Sequence, residues 1–156
     1  MTVRERRRIA MSHAFHYQAY RREVQEYRER AMAMRGQRFD TVPGSTSAGS
    51  HTDPTEKAGI KLADMPEHLR QKAQWVKAIN DTWADCLAED YGDQHGLAYL
   101  LERNFRLTGE ESGKDKNAAV RAGIMSACDI SQTTFYNRLE MVTDILVYHA
   151  AKRKLL

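Results

Sequence analysis

From Thr2 to Arg35 the chain contains neither glycine nor proline, and Ala10, His13, Tyr17, Tyr20, Val24, Tyr27, Ala31 and Met34 recur at alternating steps of three and four. Arg, Glu, Gln, Ala and Met fill the positions between them, and all are good helix formers. The spacing predicts one long helix carrying a heptad seam, which must pack on another helix along its length. Gly36 is the expected stop.

A second run, from Pro66 to about Ala88, repeats the pattern with Leu69, Ala73, Val76, Asn80, Trp83 and Leu87, widened by Trp75, Ile79 and Cys86. A face this wide can bury against more than one neighbour. Between the two runs, Val42 to Ser50 is too small and polar to build a core and reads as flexible linker. Asp53 and Pro54 then suit an N-cap and first helical position, opening a short helix to about Asp64 with Ile60 and Leu62 as its apolar contacts. The simplest arrangement is an antiparallel hairpin with its seams facing, and the alternative uses one seam for a homodimer. Asn80 either fixes register or partner number at that seam or stands half-exposed.

Tyr91-Gly92-Asp93 breaks the second helix. His95 to Arg106 reads as a helix with Leu97, Leu100, Leu101 and Phe105 inward, and Thr108 to Asp115 as a turn-rich connection. Lys116 to Ala127 is a short helix with Val120, Ile124 and Ala127 on one side. Cys128-Asp129-Ile130 is a tight turn, and Ser131 to about Lys152 is the last helix. Two helices joined by so short a turn, with apolar Ile130 locking their angle, have the pattern of a helix-turn-helix. Ser131 is a suitable N-cap. Phe135, Leu139 and Val142 face inward.

The expected fold class is therefore all-α: a long N-terminal helical hairpin, coiled-coil-like, followed by a small C-terminal helix-turn-helix domain. The divisions are 1–36 (long basic helix), 37–58 (linker), 59–90 (second long helix) and 91–156 (helix-turn-helix). At 156 residues, 8% aromatic and 29% charged, the chain has room for a modest core built from helix faces and not for a large enzyme.

On the outward face of the last helix, Gln132, Thr133, Tyr136 and Asn137 sit at the N-terminal end, where a recognition helix meets base edges in the major groove of double-stranded DNA. Gln and Asn pair bidentately with adenine, and Thr can touch a thymine methyl. Arg138 and the cluster Lys152, Arg153 and Lys154 suit phosphates. The same pattern also describes a three-helix domain with a polar face and no DNA. Asp129 occupies the turn position where glycine is common. The charge of +3 is uneven: residues 1–38 carry +6, 39–111 carry −6 and 112–156 carry +3. Basic ends around an acidic middle point to a polyanion partner, to the middle docking on the ends, or to solvated faces.

Three stretches carry a resemblance: Tyr20-Arg21-Arg22-Glu23-Val24, the Gly/Ser loop followed by Asp53-Pro54-Thr55-Glu56-Lys57-Ala58, and the run from Cys128 to Leu139. In this order they resemble phage-borne transcriptional regulators of the ArpU/RinA type, whose last helix begins similarly. The chain departs from that family at Gln132, where a basic residue is usual, and at Asn137. The resemblance implies regulation of late or lytic phage genes through a region similar to the promoter-reading helix-turn-helix of sigma factors. Host RNA polymerase is then an expected partner, and the bacterial cytoplasm the expected compartment.

Other sites carry less. His13 and His16 are spaced for a metal, with no third ligand. Tyr17, Tyr20 and Tyr27 suit packing between helices better than stacking on bases. Arg4, Arg6, Arg7 and Arg8 suit phosphate, the acidic middle or a solvated terminus. Glu89-Asp90 and Glu110-Glu111 lie in turns without a nucleophile. Cys86 and Cys128 are isolated and suit small buried hydrophobes of a reducing compartment. With no phosphate loop or nucleophile motif, the chain reads as no enzyme, with no cofactor and no metal. It has no apolar run long enough for a bilayer and no secretion signal. A helical protein-binding adaptor and a phage DNA-packaging subunit are the alternative functions.

Overall fold

The computed structural model describes residues 1–39, 64–109 and 117–156. The Gly/Ser stretch, the expected helix start at Asp53-Pro54, Ile60, Leu62, and the greater part of the Thr108 to Asp115 connection lie outside the described residues. Within them are six helices and no strand: α1 (Val3–Phe15), α2 (Tyr17–Phe39), α3 (Glu67–Glu89), α4 (Leu97–Phe105), α5 (Asn117–Cys128) and α6 (Gln132–Lys152). No described helix is long and apolar enough to cross a membrane.

The expected single helix from Thr2 to Arg35 is two helices. Thr2 opens α1 with a reciprocal cap: its hydroxyl accepts from the Glu5 N–H at 3.2 Å, and its own N–H donates to the Glu5 carboxylate at 2.7 Å. At His16 the helical hydrogen bonding is interrupted. The imidazole Nδ1 donates to the Ser12 carbonyl at 2.7 Å, the acceptor that the His16 N–H would use in a regular helix. That N–H instead takes the His13 carbonyl at 3.1 Å. A side chain competing for a backbone acceptor is a known cause of helix breaks. The Tyr20 N–H then bonds the His16 carbonyl at 2.9 Å and the helix resumes. Gly36, the expected stop, lies inside α2. One glycine costs a helix about 1 kcal/mol against alanine and does not end it alone.

The break lets the chain change partners. α2 runs antiparallel to α3: Tyr17 donates to Asn80 at 2.8 Å, Glu23 pairs with Lys72, and Tyr27 donates to the Asp64 carbonyl at 3.2 Å. Val24, Met65, Leu69 and Ala73 form a small core between them. α1 lies instead against α6, burying Ala10 and Ala14 completely.

The seam expected on α3 holds for Leu69, Ala73 and half-buried Val76, reaches Tyr17 at Asn80, and then fails. Asn80, Trp83 and Leu87 are exposed, Trp83 by 41% and Leu87 by 49%. In that half the buried residues are Trp75, Ala78, Ile79, Thr82 and Cys86, on the neighbouring face. α2 begins at Tyr17, opposite Asn80, so no part of it covers the row beyond, while α6 covers the other side. The principal core joins Ala10, Ala14 and Tyr17 to Trp75, Ile79, Leu100, Leu101, Phe105, Ile124, Phe135, Val142 and Leu146. Residues 91–156 therefore share one core with α1 and α3. Inside it, the Thr82 and Thr143 hydroxyls donate to Ala78 and Leu139 carbonyls one turn back, at 2.8 and 2.6 Å. Burial pushes the Cys86 thiol up to about 12, and Cys128 is half-buried against the same core.

Asp90 has a structural task. Its two carboxylate oxygens accept the Leu97 and Ala98 N–H groups at 2.6 and 2.9 Å, capping α4 across the turn. Gly96 makes this possible, because a Cβ there would fall 2.2 Å from the carboxylate. The Gly96→Ala variant is expected to lose the cap and about 1–2 kcal/mol of stability, measured from the urea midpoint; an unchanged midpoint would show that the carboxylate caps nothing of value.

His13 stacks on Trp75 at 4.0 Å between ring centroids and 14° between planes, with Nδ1 2.8 Å from the Tyr20 hydroxyl. Burial, and secondarily the charge of His16, lowers its pKa. Below the ordinary imidazole value of about 6.5 the unfolded chain takes up this proton before the folded one. His13 is therefore expected to make stability fall as pH drops from that value toward the lower folded one. Urea midpoints at stepped pH should fall less steeply over this range in His13→Phe than in the unaltered chain; parallel curves would contradict the assignment.

Candidate nucleic-acid interface

α5 ends in a closure in which the Ile130 N–H bonds the Met125 carbonyl at 3.1 Å and the Asp129 N–H bonds the Ser126 carbonyl at 3.3 Å. This paired closure requires a left-handed residue between helix and exit, and Asp129 adopts it with φ 50°. Ile130 turns inward and packs on the principal core, as its place in the turn led one to expect. The Ser131 hydroxyl accepts the Thr134 N–H at 3.2 Å and starts α6, the N-cap expected of it. Phe135, Leu139 and Val142 are buried, which fixes the rotation of α6.

Gln132, Thr133, Tyr136 and Asn137 are all exposed. Gln132 and Thr133 occupy the first turn, and Tyr136 and Asn137 follow one turn later. Tyr136 is set apart by a second relation: it meets the Phe135 ring edge-on at 5.3 Å and lines a groove toward α1. Gln132, Thr133 and Asn137 are the short polar groups on the open side.

The residues assigned to phosphate are dispersed. Arg138 is half-buried and donates to the His95 carbonyl at 3.4 Å, bracing α6 against the entry to α4. Arg153 pairs with Asp81 and donates to the His149 carbonyl at 3.1 Å, so it is a strut between α6 and α3 and not an open phosphate ligand. Beside it, His149 bonds Asp85 through Nε2 at 2.7 Å. Lys152 and Lys154 are exposed. Twenty residues of helix separate Lys152 from Gln132, a rise of about 30 Å, so this cluster stands at the far end of α6 from the base-reading candidates.

The fold brings a different set of cations near α6. A groove of about 670 Å³ runs between α1, α5 and α6, lined in part by Arg4, Arg7, Arg8, Arg121 and Tyr136. Arg7 clasps Asp144 with two hydrogen bonds of 2.7 Å and reaches Glu140 at 3.1 Å. The arginine cluster was visible in the sequence. Its nearness to α6 was not, since that depends on the break at His16 and on which helix α1 then meets.

Asp129 gives the turn a direct test. Replacement by glycine removes the steric penalty of a left-handed side chain, so Asp129→Gly is expected to gain up to about 1 kcal/mol in denaturant unfolding; a loss of stability would mean the aspartate side chain holds the turn. No protein-family model matches the chain, and no curated protein or solved structure is significantly similar to it.

Proposed function

We propose that this chain is a sequence-specific DNA-binding transcriptional regulator that reads bases with the N-terminal end of α6. The observation that carries the reading is the pairing of a capped helix start with free, short polar side chains. Gln132, Thr133 and Asn137 stand exposed where α6 begins, while Phe135, Leu139 and Val142 hold its opposite face in the core. A helix so fixed can enter a major groove end-first with its side chains already aimed. The closure at Asp129 sets the angle of α5 behind it. Activation of late or lytic phage genes in the bacterial cytoplasm, with host RNA polymerase as partner, is the role that the resemblance to ArpU/RinA-type regulators adds.

A protein-binding role has its own support in Trp83 and Leu87, exposed four apart near the end of α3, with exposed Tyr91 in the turn beyond. The same row would serve the regulator as its homodimer contact.

Footprinting on the segment of genome around its own gene separates the two. The regulator is expected to protect a few promoter-proximal sites. Gln132→Ala and Asn137→Ala are each expected to remove about 1–3 kcal/mol of discrimination between those sites and unrelated DNA. Binding without preference among fragments, lost at modest salt, would sink the regulator in favour of the adaptor.

A further inference from the structure

We propose that Arg4 and Arg8 of α1, together with Arg121 of α5, hold backbone phosphates of duplex DNA alongside the α6 face; the inference rests on the DNA-binding reading above and assigns its phosphate contacts. A helix whose N-terminal end enters the major groove, about 12 Å wide, has a sugar–phosphate strand on either side of that end. Elements that lie beside that helix near its start are placed to meet a strand. α1 packs on α6, and α1 and α5 both present arginines to one groove that also contains Tyr136.

Burial of Ala10 and Ala14 fixes how α1 is rotated against α6, and Arg7 then reaches Glu140 and Asp144. Arg4 and Arg8, at i−3 and i+1 from Arg7, remain exposed and make no salt bridge with any described residue, although the charge of Arg8 reaches the Glu5 carboxylate. Arg4 and Arg8 are themselves four apart and share a helix face. Arg7 also neutralises the two carboxylates that α6 would otherwise turn toward a phosphate strand. Arg121 is half-buried, and its Nε is shut off from solvent without a hydrogen-bond partner among the described residues. Lys152 and Lys154 do not line this groove; Lys152 stands about 14 Å along α6 beyond Thr143, its last lining residue on that helix.

The test is the salt dependence of binding to a fluorescein-labelled duplex of random sequence, about 24 base pairs long, followed by anisotropy from about 50 to 200 mM KCl; each phosphate contact contributes about 0.9 to the slope of log affinity against log salt. The Arg4→Gln/Arg8→Gln variant is expected to reduce that slope by about 2. Arg4→Lys/Arg8→Lys should retain it, and Lys152→Gln/Lys154→Gln should leave it unchanged. Both arginine positions are exposed, and matching thermal melts by circular dichroism would confirm intact folding. An unaltered slope in Arg4→Gln/Arg8→Gln, with tight binding by the unaltered chain, would overturn this assignment and leave the DNA-binding reading standing. No binding by the unaltered chain at the lowest salt would overturn both.

Discussion

Trp75, Ala78, Ile79, Thr82 and Cys86 form a continuous buried row along α3, and α6 lies on it. The remaining arrangement follows from the need to cover α3 on two sides. α2 covers the earlier turns through Val24, Leu69 and Ala73, and α6 covers the later ones. α4 and α5 then close the end of the core around Leu100, Leu101, Phe105 and Ile124, while α1 caps α6 from outside with Ala10 and Ala14. The small size of these two alanines lets the helices approach closely. The position of the exposed start of α6 is therefore set by a core drawn from nearly every described helix.

The last helix was legible in the sequence because its signals are local. Ser131 supplies its own cap, Ile130 sits next to it, and the spacing of Phe135, Leu139 and Val142 defines an inward face without reference to any partner. The N-terminal half was less legible because its outcome depends on contacts far along the chain. Phe15, His16 and Tyr17 include no glycine or proline, so nothing local announces a break. The seam on α3 showed correctly which residues are apolar, but not that α2 would begin opposite Asn80 and leave Trp83 and Leu87 uncovered. Likewise Arg153 looked like a free cation in the sequence, and only the packing of α6 on α3 places Asp81 against it.

Helix ends show a related habit. Arg106, Asp129 and Lys154 each take left-handed backbone with φ between 50° and 58°. Each closes a helix by the same pair of backbone hydrogen bonds, ending at Leu107, Ile130 and Leu155. Glycine is the easy occupant of such positions. In every case the next residue is a leucine or isoleucine that turns back onto the principal core. Apolar burial just beyond the turn offsets the strain within it, so a missing glycine in the sequence is a poor argument against a tight closure.

The clasp between Arg7 and Asp144 spans 137 positions of the chain. α1 is synthesised long before α6, and closing so large a loop carries an entropy cost that the contacts made must offset. Until α6 emerges, α1 lacks its main packing surface and Arg4, Arg7 and Arg8 carry no assembled groove. The groove between α1, α5 and α6 is therefore assembled only after α6 has been made.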